Sequence, residues 1–159
     1  MSNQIPEIPE KGRIAAVDYG TVRIGVAITD PDRVLCSPLE NYNRRSPSKD
    51  AQYFKELAEL ERIVLFVVGL PVHMSGDESQ KSYEARQFGK WLYETTNVPV
   101  TYYDERFTTS VAKELLQEAG LTKKRRKARL DMLSAQILLT SFLENPDRAL
   151  GSISGLEDR

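Results

Sequence analysis

Cysteine and histidine are almost absent from this chain: among its 159 residues, Cys36 and His73 are the single examples of each. One cysteine cannot form an intramolecular disulfide, and a thiolate metal site within one chain is excluded. A reducing cytoplasm is the compartment that fits. Long hydrophobic runs are missing as well. The longest, IVLFVVGL, is far too short to cross a bilayer, and the opening MSNQIPEIPEKGR lacks the apolar core of a secretory signal. A large net charge is also absent, since 22 Lys and Arg face 23 Asp and Glu. With 40% apolar and 28% charged residues, the composition is that of a soluble globular protein, and the length suits one compact domain with one site.

What is present reads as an alternation of strands and helices. Two strand-like runs, 14–19 and 24–29, flank the Gly-led connection GTVR, and a third, RVLCSPLENYN, follows the turn signal DPD. Helical spacing begins at Ser48, with Phe54, Leu57 and Ala58 on one face. RIVLFVVGL has no alternation and is rich in β-branched residues, as expected of a central strand covered on both faces. Helices are expected over 79–96, over 109–119 ending at Gly120, and over 128–144, with a strand at 98–105. The order β-β-β-α-β-α-β-α-α predicts one α/β domain with a mixed five-stranded sheet flanked by helices. Its ligand site should lie beyond the carboxyl ends of the parallel strands. Residues 1–12 read as a flexible arm, 13–145 as the domain, and 146–159, polar and rich in Gly and Ser, as a mobile tail.

The acidic residues are the informative ones. Asp18 ends the buried-looking run IAAVD, where an ionised carboxylate is costly unless something positive compensates it. Asp104 and Glu105 stand at the end of the 98–105 strand. Asp131 lies in line with the apolar helical positions 135, 138 and 142. Taken singly, each has an ordinary explanation as a cap, a turn residue or a surface pair. Together, three acidic groups from distant segments are expected at one sheet edge. An all-oxygen cluster suits a hard ion, Mg²⁺ or Mn²⁺, and two such ions about 4 Å apart can drive in-line displacement at a phosphodiester.

The stretch LTKKRRKARL, immediately ahead of Asp131, concentrates Lys123, Lys124, Arg125, Arg126 and Lys127 in a protein of near-zero net charge. Beside a carboxylate cluster it suits a polyanion whose affinity falls steeply with salt. Arg23 and Arg106 are further candidate nucleic-acid contacts. Gly69 and Gly76 permit close backbone approach in the loop VGLPVHMSGDES, where His73 reads as a surface side chain rather than a general base. Thr108, Thr109 and Ser110 read as helix-starting caps.

The segments AVDYGTVRIGVAITDP, VVGLPVHMSGDES, VTYYDERFTTSVAKELLQEAGL and KKRRKARLDMLSAQILLTSFLE resemble, in order and spacing, the YqgF (RuvX) family of pre-16S rRNA nucleases, also called Holliday-junction-resolvase-like proteins. The resemblance spans residues 13–145. It implies a ribonuclease H-like fold and a nuclease site, with Asp18, Glu105 and Asp131 as catalytic, metal-binding carboxylates. It also implies a role in maturing the 5′ end of 16S ribosomal RNA, on structured RNA, alone or with ribosome assembly factors, as a monomer or homodimer. His73 and Ser75 depart from the family's P-x-N-M-D-G pattern, and LDMLSAQ departs from I-D-x-x-A-A while keeping the acid. Resolution of branched DNA and non-catalytic nucleic-acid binding are the competing expectations. D-x-G-T is also a phosphate-loop signature of actin-like ATPases, but those need two lobes that 159 residues cannot supply.

Overall fold

The computed structural model describes residues 5–72, 78–107 and 123–155, with the side chains of 107 and 123–132 outside the description. The expected helix over 109–119, and His73, Ser75, Gly76, Thr108, Thr109 and Ser110, lie outside the described residues. Six strands form one sheet: β1 (Arg13–Asp18), β2 (Arg23–Thr29), β3 (Cys36–Asn43), β4 (Ile63–Leu70), β5 (Val100–Asp104) and β6 (Ala149–Ile153). Their order is β3-β2-β1-β4-β5-β6. β1, β4 and β5 run parallel in the centre, and β2, β3 and β6 are antiparallel to their neighbours.

The helices among the described residues are α1 (Pro47–Leu60), α2 (Gln80–Thr96) and α3 (Lys123–Glu144). Each start and stop has a local cause. Ser46 accepts the Lys49 N–H at 3.2 Å ahead of Pro47 in the first turn of α1. Ser79 does the same for Ser82 at the head of α2, whose other end closes on Asn97 at φ 60°.

β1 shows why the central strands lack alternation. Ala15 and Val17 belong to a core shared with Phe54 and Leu57 of α1 and Phe88 and Leu92 of α2. Ile14 and Ala16 face the other way, into a core with Ala135, Leu138, Leu139 and Phe142 of α3. Both faces are covered, so every position between the strand's ends is buried.

The sheet has six strands where the sequence pattern predicts five. The sixth comes from the stretch read as a mobile tail: β6 pairs with β5 through Val100↔Ile153 and Thr101↔Ser152, and the Thr101 and Ser152 hydroxyls are 2.8 Å apart. A short, half-buried edge strand containing Gly151 at φ 105° draws its stability from its partner, so composition alone does not reveal it. The N-terminal arm is likewise fastened in part. Ile5 and Ile8 pack against the α3-side core, and Arg33 donates to the carbonyls of Pro9 and Gly12. No helix among the described residues is long and apolar enough to cross a membrane.

Candidate active site

Strand direction carries the acidic residues to one edge. β1 and β5 are parallel to β4, so Asp18 and Asp104, their last residues, emerge on the same side of the sheet. Asp18 lies opposite Gly25 of β2, on the face that α3 covers. A Cβ on Gly25 would lie 3.6 Å from the Asp18 Cβ, 3.4 Å from Ser134 Oγ and 3.6 Å from the Ala135 Cβ. The missing side chain therefore lets α3 pass close over the end of β1.

Glu105 opens the single 3-10 turn that follows β5. It lies directly over Gly69 of β4, where a Cβ would sit 2.9 Å from the Glu105 carboxyl carbon and from Oε1. The close approach expected at Gly69 is thus to Glu105 itself. Only a residue without a side chain at 69 leaves this carboxylate its seat.

Asp18 and Glu105 line one cavity of about 250 Å³. The turn after β1 contributes Tyr19, Gly20 and Thr21, the end of β4 contributes Gly69 and Pro71, and α2 contributes Lys81, Glu84 and Ala85. Lys81 and Glu84 are site residues that did not stand out in the sequence. Their signal was available, because positions 81, 84, 85 and 88 follow helical spacing and share a face with the buried Ala85 and Phe88.

The two acidic residues at the β5 end behave differently. Asp104 is buried and clasped by its neighbour but one: Arg106 donates from Nε at 3.0 Å to both carboxylate oxygens, from Nη2 at 2.6 Å to Oδ2, and from its backbone N–H at 2.9 Å. Arg106, expected to contact nucleic acid, forms a short, charge-assisted fork with Asp104. Glu105 is pushed up to about 7, first by burial and then by the negative charges of Asp18 and Asp104. Excess negative potential of this kind is what a hard divalent cation relieves, and carboxylate oxygens are the donors such a cation takes. Asp18 and Glu105 therefore fit as two of its ligands, although no cluster of three or more metal-ligating side chains occurs among the described residues.

Asp131 belongs to α3, one helical turn before the Ala135 that packs over Gly25, and its side chain lies outside the described residues. The same holds for Lys123, Lys124, Arg125, Arg126 and Lys127. Their backbone forms the first turns of α3, which begins at Lys123 rather than near 128. Lys, Arg and Ala are good helix formers, so the basic run extends the helix instead of preceding it. Arg23 is exposed at the start of β2.

Against known proteins, residues 12–145 match the family model described as RuvX, Holliday junction resolvase. A "Putative pre-16S rRNA nuclease" of Rhodopirellula baltica is 54% identical over 152 residues, covering 94% of this chain and 87% of that protein. One of the same name from Koribacter versatilis is 38% identical over 133 residues, covering 84% and 87%. Among solved structures, Thermus thermophilus RuvC in complex with a Holliday junction substrate superposes with a TM-score of 0.55 at 14% identity, covering 87% of this chain and 99% of that one. That likeness shows the ribonuclease H-like fold.

Proposed function

This chain belongs to the RuvX family of Holliday-junction-resolvase-like proteins, and from that premise we propose that it is a metal-dependent nuclease that matures the 5′ end of pre-16S ribosomal RNA in the cytoplasm. The observation that carries the metal-dependent part is the pair Asp18 and Glu105 in one cavity, with the Glu105 proton held to about 7. The shared name of the relatives supports the RNA substrate.

Asp18 and Glu105 would hold Mg²⁺ or Mn²⁺, with Asp131 from α3 as the third carboxylate and two ions as the full complement. When bound, such ions supply a lowered pKa for the attacking water and neutralise charge developing on the leaving oxygen. The chain's own residues do the rest. The Asp104–Arg106 fork fixes the turn that carries Glu105. Gly69 gives Glu105 its seat. Lys81, the only basic side chain in the lining among the described residues, would meet a phosphate entering the cavity, and Lys123–Lys127 with Arg23 would hold the flanking backbone.

The test is cleavage of a labelled 16S precursor fragment and of a four-way DNA junction by wild type and Asp18→Asn, with Mg²⁺, with Mn²⁺ and with chelator. Metal-dependent cutting of the RNA by wild type alone is the expected result. Cutting of the junction alone, by a dimer, would favour the resolvase reading that the RuvC likeness suggests. Salt-dependent RNA binding with no cleavage of either substrate would sink the nuclease reading.

A further inference from the structure

We propose that Arg44, which follows β3, is a positioning residue that clamps the turn joining Asp18 to β2; its bearing on catalysis rests on the nuclease reading. The turn, residues 19–22, supplies Tyr19, Gly20 and Thr21 to the cavity wall. It is folded tightly on itself: a Cβ on Gly20 would lie 2.4 Å from the Arg23 carbonyl oxygen. The Tyr19 ring packs against Phe88, 4.9 Å between centroids, while Thr21 and Val22 are exposed and leave the rest of the turn to be held by hydrogen bonds.

Arg44 reaches that turn at three points. Its backbone N–H donates to the Val22 carbonyl at 3.0 Å. Its Nη1 donates to the Tyr19 hydroxyl at 3.2 Å and to the Gly20 carbonyl at 3.4 Å, with the guanidinium carbon 5.4 Å from the Tyr19 ring centre. The other end of the same planar group is anchored, because Nε lies 3.4 Å from Oδ2 of Asp50 in the first turn of α1. Asp50 is only 3% exposed and is fixed in turn by the Tyr42 hydroxyl at 2.7 Å and the Arg45 N–H at 2.9 Å. The chain of contacts therefore runs from a buried carboxylate on α1, through one guanidinium, to the turn immediately after Asp18.

A guanidinium can bridge these partners because its donors lie in a fixed fork. A lysine ammonium is a single point and cannot span Asp50, the Tyr19 hydroxyl and the Gly20 carbonyl together. A phosphate-binding arginine would behave differently, since lysine preserves the charge that such a contact needs.

The experiment compares wild type, Arg44→Lys and Tyr19→Phe in the full chain. Amide hydrogen exchange is measured for residues 19–22, and cleavage of the 16S precursor fragment is followed as kcat and KM across a salt series. The clamp predicts exchange at 19–22 faster by about tenfold in Arg44→Lys, with kcat lower by about tenfold, on the scale expected when a reacting group is slightly misplaced. KM and its salt dependence stay unchanged. Tyr19→Phe, which keeps the Arg44–Asp50 pair, gives the same changes in smaller measure. Unchanged exchange at 19–22 in Arg44→Lys would overturn the proposal. So would a raised KM and a salt slope smaller by about one in a further variant, Arg44→Ala, with wild-type values retained in Arg44→Lys, the signature of a phosphate contact. If wild type cleaves nothing while exchange responds as expected, the nuclease reading fails and the clamp stands.

Discussion

Two carboxylates, the buried Asp50 and the half-buried Glu105, stand in opposite conditions. Burial alone would raise Asp50, but the Tyr42 hydroxyl, the Arg45 N–H and Arg44 outweigh it and hold the group below its ordinary 3.8. At Glu105 burial raises the group, and the nearby charges of Asp18 and Asp104 raise it further, to about 7. Hydrogen-bond donors set the direction of the shift at Asp50, and burial with charge of the same sign sets it at Glu105. The first arrangement stabilises a corner of the fold. The second disfavours the charged form of a carboxylate at a cavity, a condition that a species bringing positive charge would relieve.

The contrast can be broken most strongly at the site. Asp18→Asn is expected to lower single-turnover cleavage of the precursor RNA by about 10³-fold, equivalent to about 4 kcal/mol in the barrier, with an unchanged far-ultraviolet circular dichroism spectrum. Asp50→Asn should do the reverse in kind. Removing the charge that Arg44 and Arg45 answer is expected to cost about 2–3 kcal/mol of stability, read as a lower urea midpoint at unchanged slope.

The pH dependence of the metal-free protein separates the two groups by sign. At Glu105 the folded state holds a proton that the unfolded state releases near 4.5, so stability falls as pH rises from about 4.5 through 7. Glu105→Gln should remove that fall and gain about 1–3 kcal/mol over wild type at pH 8 in chelator, measured by thermal melts. The Asp50 contribution runs the other way, present above pH 3.8 and lost below it.

Gly69→Ala tests the seat of Glu105. With a Cβ 2.9 Å from the carboxyl carbon, the side chain must shift, and cleavage is expected to fall by about tenfold without loss of the fold. The smallest effect is reserved for Lys81→Ala: KM higher by about threefold, kcat nearly unchanged, and a salt slope smaller by about one.

The acidic residues and the central strands were legible because their signals are local. An unbroken β-branched run indicates a strand covered on both faces, and an aspartate at the end of such a run needs an explanation that few structural roles supply. β6 was not legible, since its pairing with β5 depends on residues about fifty positions away. Lys81 and Glu84 were hidden for a similar reason: helical spacing marks their face, but not what that face meets.

By itself, the sequence determined the order of elements from β1 to β5, the family, and the convergence of Asp18 with Glu105 at one edge, because parallel strands deliver their carboxyl ends to the same side. Only the tertiary structure decided which acid carries the strain. Asp104 and Glu105 are adjacent in the chain and chemically alike, yet Asp104 is held by Arg106 while Glu105 turns over Gly69 towards Asp18. That choice depends on side-chain direction and on neighbours brought in from β1 and β4, which no local pattern encodes.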